Sequence, residues 1–274
     1  MRETQKRNFI SIFTRNNIQI IGDGPVTIVF AHGFGCDQNM WRYLAPSFKQ
    51  RFKVVLFDLV GSGRSDLSAY DFKKYASLQG HAEDLIEIID AVSDQPVIFI
   101  GHSVSATIGL IASVTAPDKF TCQIMVGPSP CYINDGEYIG GFTRDDIEEL
   151  CDTIDSNYLG WSSTMAPAIM GAPEKPELSE ELTNSFCRTD PEIAKHFARV
   201  TFLSDHRDAL ALSHTPTLIL QCSDDFIAPC TVGQYMKRAM PNAEMCIIDN
   251  VGHCPHLSAP DASTQAIENY LKIY

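Results

Sequence analysis

The sequence is short of positive charge. Among its 274 residues, 21 Lys and Arg stand against 34 Asp and Glu, which gives a net charge of −13 and a pI near 4.9. Nucleic acids and anionic membrane surfaces need a basic face on the protein that binds them. We therefore expect no nucleic acid and no membrane among the partners. The apolar content of 45% is ordinary for a globular chain and allows a sizeable core.

Paired cysteines and a secretory signal are also lacking. The nine cysteines are scattered, with no C-x-x-C pair, so they predict reduced thiols and neither a disulfide framework nor a zinc site. The opening residues, MRETQKRN, are charged and contain no apolar h-region. Together these features predict a cytoplasmic protein.

One stretch, residues 95–117, carries no Asp, Glu, Lys or Arg and is long enough to span a bilayer. It is interrupted by glycine, serine, threonine and histidine, which make it too polar for a lipid-facing helix. We interpret it as a buried strand followed by a buried helix.

Short apolar runs alternate with helical patterns over most of the chain. Runs such as VTIVFA and KVVLFDL are nearly continuous in apolar residues, which is typical of strands covered on both faces of a parallel sheet. Strands are predicted at 8–14, 17–21, 25–31, 53–59, 96–101, 121–126, 216–222 and 243–248. Helices are predicted at 40–48, 78–92, 104–116, 232–240 and 262–273. This alternation indicates an α/β fold with a mostly parallel, doubly wound sheet.

A long segment, residues 131–212, breaks this alternation. It predicts helices only, at 144–158, 161–170, 179–188 and 191–202. Because the strand and helix alternation returns afterwards, we interpret 1–130 and 213–274 as one discontinuous core and 131–212 as a helical lid over the sheet. The alternative is that the helices only add packing at the sheet edge.

The strongest local signal is the segment VIFIGHSVS. A buried strand runs into Gly101, His102 and Ser103 and then into a helix of small residues. A nucleophile elbow needs this sharp strand-to-helix turn, which holds a serine exposed above the sheet. The last glycine of the usual pattern is Ser105 here, which is still small. Taken alone, the segment leaves open a serine that only caps the helix.

A second turn, HGFG, follows another apolar strand. A backbone N–H of this turn can point at the same oxygen as the Val104 N–H, and two such donors make an oxyanion hole. We expect the His32 side chain to brace this loop and to take no part in the chemistry.

A serine nucleophile requires a base and a group that orients the base. Asp224 and Asp225 follow one predicted strand, and His253 and His256 follow the next. The carboxyl ends of strands are where α/β sheets carry their sites. The order serine, acid, histidine agrees with the elbow. We predict a triad of Ser103, His253 and Asp225, with Asp224 facing solvent and His256 packing in its loop.

Nucleotide and metal chemistry do not fit the remaining motifs. The turn at Gly61, Ser62 and Gly63 lacks the third glycine and the lysine of nucleotide-binding loops, and no H-E-x-x-H motif occurs. We therefore expect no metal and no organic cofactor.

Segments spread along the chain carry a family resemblance: HGFGCDQNMW, FDLVGSGRSDL, GHSVSA, VGPSPCYIND, NYLGW, FLSDHR and GHCPHLS. Together they resemble the RsbQ-type α/β hydrolases, which are bacterial regulators related to the plant strigolactone and karrikin receptors. The likeness runs from about residue 17 to the C-terminus. The Cys-Pro-His and Cys-Tyr-Ile-Asn-Asp motifs are similar to the RsbQ branch, whereas GHSVSA is similar to the plant receptors.

This resemblance implies an α/β-hydrolase fold, a helical lid over an apolar pocket, and the same triad. It implies oxyanion N–H groups at Phe34 and Val104. It also puts Phe34, Phe142, Trp161 and Phe202 at pocket positions that bind substrate. The alternative is that Trp161 and Phe202 only form the core of the lid.

Three functions stay open at this point. The first, which we predict, is a ligand-responsive serine hydrolase that cleaves a small apolar ester or lactone. The resemblance implies that it acts with a PAS-domain phosphatase in regulating a stress response. The second is a metabolic esterase or lactonase without a signalling partner. The third is a ligand-binding protein with little turnover.

Overall fold

The structure is a computed structural model, and it describes residues 12–272. Within that range seven strands form one sheet in the order β1-β3-β2-β4-β5-β6-β7. The strand β1 pairs antiparallel with β3, and all other neighbours pair parallel. The strands are β1 Gln19–Ile21, β2 Val26–Ala31, β3 Phe52–Phe57, β4 Val97–His102, β5 Phe120–Val126, β6 Thr217–Asp224 and β7 Ala243–Val251.

The central strands are buried on both faces. Every residue of β4 is buried. Along β2, Ile28 and Phe30 join one apolar cluster, while Val29 and Ala31 join a second. Successive side chains of a strand point to opposite faces, so the two clusters lie on opposite sides of the sheet. The nearly continuous apolar runs therefore arise because both faces of these strands are covered, as the sequence predicts.

Helices cover these two faces and extend beyond one edge of the strands. In α2 the buried side chains Leu85, Ile88, Ile89 and Val92 recur at helical spacing. The helices are α1 Ala45–Phe48, α2 Gln79–Val92, α3 Val104–Thr115, α4 Arg144–Met170, α5 Pro176–Arg188, α6 Pro191–Phe202, α7 Arg207–Leu210, α8 Cys230–Ala239, α9 Pro255–Ser258 and α10 Pro260–Leu271. Short 3-10 helices lie at Gln38–Trp41, Leu67–Ala69 and Pro117–Lys119.

Within the described residues four helices lie between β5 and β6, and we refer to the first three, α4, α5 and α6, as the inserted helices. The first begins with a capping box, in which the side chains of Thr143 and Asp146 each accept the other's backbone N–H. It breaks at Asn157, whose φ of −152° and ψ of 70° are not helical. Gly160 N–H donates to Asn157 Oδ1 at 3.0 Å, which starts the second segment. The break accounts for the separate helical patterns at 144–158 and 161–170.

The predicted α/β class with a mostly parallel sheet is confirmed, and every strand predicted after residue 16 is present. The strand predicted at 8–14 is wrong for residues 12–14, the part that the structure describes, because residues 12–15 form a helical turn. Asn16 N–H donates to Ile12 O at 3.0 Å, and Phe13 packs against the core from that turn. The remaining residues 8–11, like the MRETQKRN segment, lie outside the described residues.

Two further expectations concern helices. Residues 95–117 contain β4 and α3, as interpreted, and no helix within residues 12–272 has both the length and the hydropathy for a bilayer crossing. The helix predicted at 40–48 is instead a 3-10 helix followed by the short α1. Pro46 lies in the first turn of α1, where proline is tolerated, whereas inside one continuous helix it would remove a hydrogen bond.

Candidate active site

Ser103 lies at the sharp turn between β4 and α3. Its backbone, with φ 55° and ψ −122°, is in a region that non-glycine residues rarely adopt, at a cost of about 1–3 kcal/mol. Its N–H donates to Val126 O at 2.8 Å, which ties the turn to the neighbouring strand. A Cβ at Gly101 would lie 2.6 Å from Ser105 O, so the turn requires glycine there. The surrounding structure thus holds a strained serine at the carboxyl edge of the sheet.

Three side chains from separate loops form one hydrogen-bonded line. His253 Nε2 lies 2.8 Å from Ser103 Oγ, and His253 Nδ1 lies 2.6 Å from Asp225 Oδ2. The other carboxylate oxygen, Asp225 Oδ1, accepts the N–H groups of Ile227 and Ala228 at 2.9 and 3.1 Å. All three triad side chains are buried. The line is the geometry in which an acid orients an imidazole toward a hydroxyl.

The neighbouring acid, Asp224, is not part of this line. It ends β6 with an exposed side chain, while its carbonyl oxygen accepts Gly252 N–H at 2.7 Å. Asp225 lies beyond the end of β6 and is buried, so the chain leaving the strand directs Asp225 and not Asp224 inward.

The backbone of His253 is held from both sides. Its backbone N–H donates to Ile169 O of α4, and its backbone carbonyl oxygen accepts from His102 Nε2, each at 2.8 Å. Burial lowers the pKa of His102 well below its usual value, so this imidazole stays neutral. A Cβ at Gly127 would lie 3.1 Å from the His253 ring, which leaves little room for any larger residue. The ring therefore has few alternative positions.

The backbone N–H groups of Phe34 and Val104 lie near Ser103 and have no acceptor among residues 12–272. Val104 is the first residue of α3, whose N–H lacks an intrahelical partner. Phe34 lies in a tight turn that Cys36 N–H closes by donating to Gly33 O at 3.2 Å. A Cβ at Gly33 would lie 3.4 Å from Ser103 Cβ. The turn therefore lies directly beside the serine, where two free donors could meet one oxyanion.

The predicted bracing of this loop by His32 is visible in its hydrogen bonds. Leu59 N–H donates to His32 Nε2 at 3.0 Å, so the ring proton is on Nδ1, which donates to Gly33 O at 2.8 Å. Ser105 Oγ donates to His32 O at 2.5 Å. The serine that replaces the usual elbow glycine thus connects α3 to the loop beside it.

An apolar cavity lies over Ser103, and side chains of the inserted helices form much of its wall. Phe34, Trp161 and Phe202 line it, which is where the resemblance puts them. Trp161 and Phe202 also belong to the apolar cluster of the core, so they pack and line at the same time. The other lining residues are Cys36, His102, Tyr132, Leu150, Met165, Ile169, Leu182, Phe186, Thr201, Ile227, His253 and Cys254.

Phe142 does not line this cavity. Its N–H donates to Tyr132 O at 3.1 Å and its carbonyl oxygen accepts from Asn134 N at 2.7 Å. These bonds fix it in the loop before α4, where it lines an open groove beside the cavity. The groove and the cavity share Trp161 and Met165 as a partition. Phe142 therefore lies at the outer side of the partition and not above Ser103.

Sequence reasoning gave no role to Tyr132 or Phe186. Burial raises the pKa of Tyr132 to about 12, and the Ser103 side chain, which interacts with its hydroxyl, opposes that rise. The ring of Phe186 lies 6.1 Å from that of Phe34. The Tyr132 signal was the Cys-Tyr-Ile-Asn-Asp motif, whereas the apolar spacing of Phe186 does not separate a cavity wall from an ordinary helix core.

His102, Cys254 and His256 are the one set of side chains, within residues 12–272, that has the composition of a metal site. Their ligand atoms lie within 4.8 Å of one another. Burial lowers the pKa of His256 to about 3 and raises that of the Cys254 thiol well above its usual value. A protonated thiol is a poor metal ligand, and the His256 ring packs against Trp41 with the ring centroids 4.6 Å apart. We interpret His256 as a packing residue.

Comparisons with known proteins show the family to which the chain belongs. The model of the alpha/beta hydrolase family matches residues 28–266. The chain belongs to the α/β hydrolase family. It is 37% identical over 247 residues to the Karrikin insensitive 2 receptor CA of Petunia hybrida, which covers 90% of this chain and 92% of the receptor. It is 35% identical over 256 residues to the strigolactone esterase D14 of Arabidopsis thaliana, with 93% and 96% covered.

Among solved structures, a hydrolase from Oleispira antarctica is 45% identical, with a TM-score of 0.93, and the match covers 96% of this chain and 97% of that one. The resemblance drawn from the sequence is thus confirmed for the family and for its relation to strigolactone and karrikin receptors. The protein is an esterase-like α/β hydrolase related to those receptors. Its position in the RsbQ branch stays a prediction.

Proposed function

We propose that the protein is a serine hydrolase of small apolar esters or lactones. The observation that carries this proposal is the hydrogen-bonded line from Asp225 through His253 to Ser103, which ends under an apolar cavity. An oriented base next to a hydroxyl is the arrangement that activates a serine. An apolar wall selects apolar ligands and leaves few polar contacts to fix them.

In the proposed reaction, Ser103 Oγ attacks the carbonyl carbon while His253 Nε2 takes the hydroxyl proton. The resulting oxyanion accepts the N–H groups of Phe34 and Val104. As the intermediate collapses, the ester C–O bond breaks and the imidazolium gives its proton to the leaving alkoxide. Asp225 keeps the imidazole in the required tautomer and stabilises the imidazolium. Water, deprotonated by the same imidazole, then releases the acid from the serine.

The proposed binding part of the molecule is the segment 131–212, acting as a lid on the core formed by 1–130 and 213–274. Trp161 and Phe202 are the proposed substrate contacts, with Phe34 on the core side. Phe142 is proposed to act only at the outer groove. No metal or organic cofactor enters the proposed steps, because the triad and two backbone donors suffice for acyl transfer.

We further propose that hydrolysis serves regulation. The support is the similarity to plant proteins that are named as receptors, together with a cavity enclosed by inserted helices. A PAS-domain phosphatase is the proposed partner. Free thiols at all nine cysteines are compatible with the proposed cytoplasmic location. A metabolic esterase without a partner would share the triad and differ only in the effect on the phosphatase.

The test of the chemistry is hydrolysis of an apolar aryl ester by the wild type and by Ser103→Ala. The matched control is Ser163→Ala, which removes an exposed hydroxyl from α4. We expect the first variant to lose turnover and the control to keep it. Equal turnover in all three proteins would contradict a serine mechanism at Ser103. For regulation, the readout is the activity of a PAS-domain phosphatase from the same genome, with and without this protein.

A further inference from the structure

The side chain of Phe34 lies among four aromatic rings, all of them from the inserted helices. The centroid distances from Phe34 are 6.2 Å to Trp161 in α4, 6.1 Å to Phe186 in α5, and 5.7 and 5.9 Å to Phe197 and Phe202 in α6. The loop residue that offers one of the two free N–H groups is therefore packed on its outer side by the insertion and not by the core.

Helix α5 contacts this loop directly. Ser185 Oγ donates to Gly35 O at 2.8 Å, one residue after Phe34. A Cβ at Gly35 would collide with the ring of Phe186, and Gly35 has a φ of 66°, in the left-handed region. Only glycine allows the turn and the helix to be this close. Ser185 and Phe186 therefore contact Gly35 only when α5 lies in the position described here, which we call seated.

Two ion pairs join the same elements farther out. Arg42 forms a bidentate pair with Glu181 of α5, at 2.7 and 2.6 Å, and Arg188 of α5 lies 3.4 Å from Asp37. These pairs are partly or largely exposed and add little free energy each. They hold α5 over the segment that follows Phe34, with Ser185 between them.

We propose that α5 positions the oxyanion donor of Phe34, and that Ser185 is the positioning residue. The inference rests on the proposed function. The turn at Phe34 is closed by one hydrogen bond of 3.2 Å between glycine and cysteine backbones, and two glycines flank Phe34. From the core side, His32 and Ser105 fix the start of the loop. From the outer side, the hydroxyl of Ser185 fixes the peptide between Gly35 and Cys36, at the far end of the turn.

In this proposal the position of α5 sets the orientation of the Phe34 N–H. When α5 is seated, the Phe34 N–H is held toward the oxyanion position; when α5 moves away, the flanking glycines let that peptide rotate. An oxyanion donor acts on the transition state and hardly on the bound ester. When α5 closes over a bound ligand, the same movement then completes the oxyanion hole.

The test compares Ser185→Ala with Thr183→Ala. Both residues are half-buried hydroxyl residues of α5, but Thr183 Oγ1 donates to Ser179 O within the helix and does not touch the loop. Removal of a whole oxyanion donor costs about 10²–10³ in kcat, so loosening one should cost less. We expect Ser185→Ala to lower kcat about 5- to 30-fold with KM within about twofold, and Thr183→Ala to leave both unchanged.

A second readout separates positioning from stability. The rate at which a fluorophosphonate labels Ser103 should fall in Ser185→Ala by the same factor as kcat, because the phosphoryl oxygen uses the same donors. Ser185→Thr, which keeps a hydroxyl, should restore both, and Ser185→Cys, a weaker donor, should be intermediate. Melting curves of all variants report folding.

The proposal is overturned if Ser185→Ala keeps wild-type kcat and labelling rate, or if it raises KM alone. A fall in melting temperature that Ser185→Thr reverses while kcat stays low would also overturn it. Failure of the proposed function looks different, since the wild type itself would then not be labelled at Ser103.

Discussion

The core loops and the inserted helices contribute to the site by different forces. On the core side, short buried hydrogen bonds fix Asp225 and His253, several of them to backbone groups. On the inserted side, most contacts are rings and aliphatic chains, with single hydrogen bonds at Ser185 and Ile169 and ion pairs at the rim. Hydrogen bonds fix direction, whereas apolar contacts scale with area and tolerate change. We therefore propose that the core provides most of the reaction geometry and the insertion most of the ligand affinity, with Ser185 and Ile169 as inserted residues that act on the geometry.

The largest expected effect is on the core side. Ser103→Ala should abolish hydrolysis, by a factor of about 10⁴ or more, yet it should still bind ligand. Removing one oxygen hardly changes the buried apolar area that provides affinity. Calorimetric titration with a non-hydrolysable ketone analogue of an apolar aryl ester checks this. A loss of binding in Ser103→Ala would show that capture depends on the nucleophile and would remove the division between the two regions.

The two neighbouring acids give the next largest effect. Asp225→Asn should lower kcat by about 10³–10⁴, by analogy with serine proteases, because His253 would take the wrong tautomer. Asp224→Asn is the matched control and should change kcat by less than about threefold, because the Asp224 side chain is exposed at the end of β6. Steady-state kinetics of both variants decides between them, and reversed losses would mean that Asp224 is the acid.

On the inserted side, Trp161→Ala should weaken binding of the same ketone analogue. The expected loss is about 1–3 kcal/mol, the transfer free energy of a large side chain, with little change in kcat for bound ester. Trp161 also packs in the core cluster, so melting curves accompany the titration. An unchanged affinity in a well-folded variant would mean that Trp161 is only part of the packing.

The junction of the two regions gives a smaller, pH-dependent effect. His81 of α2 packs on Phe197 of α6 at 4.9 Å. Burial lowers the pKa of both His81 and His256 to about 3 from 6.5. Between those values the unfolded chain binds protons that the folded chain does not, so the free energy of unfolding falls as pH falls. Each imidazole contributes up to about 1.4 kcal/mol per pH unit.

Chemical denaturation at pH 7, 6 and 5 measures this dependence. His81→Phe should keep the ring packing with Tyr75, which now lies at 4.4 Å, and should lower the slope of stability against pH by the share of one imidazole, because His256 remains. His214→Gln, at an exposed position, is the control. A wild-type stability that does not change between pH 7 and 5 would contradict the neutral state of these buried rings.

The hydrogen-bonded line of Ser103, His253 and Asp225 could be predicted because its signals are local. A strained serine turn needs small residues next to it in the chain, at Gly101 and Ser105, and both carboxylate and imidazole follow strands whose apolar runs are plain. The same reasoning failed at residues 12–15, where a run of apolar residues packs equally well from a helical turn. Apolar content alone does not set the period of a short segment.

The cavity wall was less predictable because it depends on contacts between distant segments. The loop containing Phe142 is fixed by backbone hydrogen bonds to Tyr132 and Asn134. No local sequence pattern indicates these bonds. Leu182 and Phe186 follow the apolar face of α5, a pattern that is the same for a packed core and for a ligand wall. Only the position of α5 above the Phe34 turn distinguishes the two.

The site at which a covalent serine probe reacts tests the proposed triad most directly. After reaction with an apolar fluorophosphonate and digestion, mass spectrometry should find one adduct, on Ser103, in the wild type and in Asp224→Asn, and a strongly slowed adduct in Asp225→Asn. An adduct on another serine, or none on a preparation that hydrolyses esters, would contradict the assignment of Ser103, His253 and Asp225.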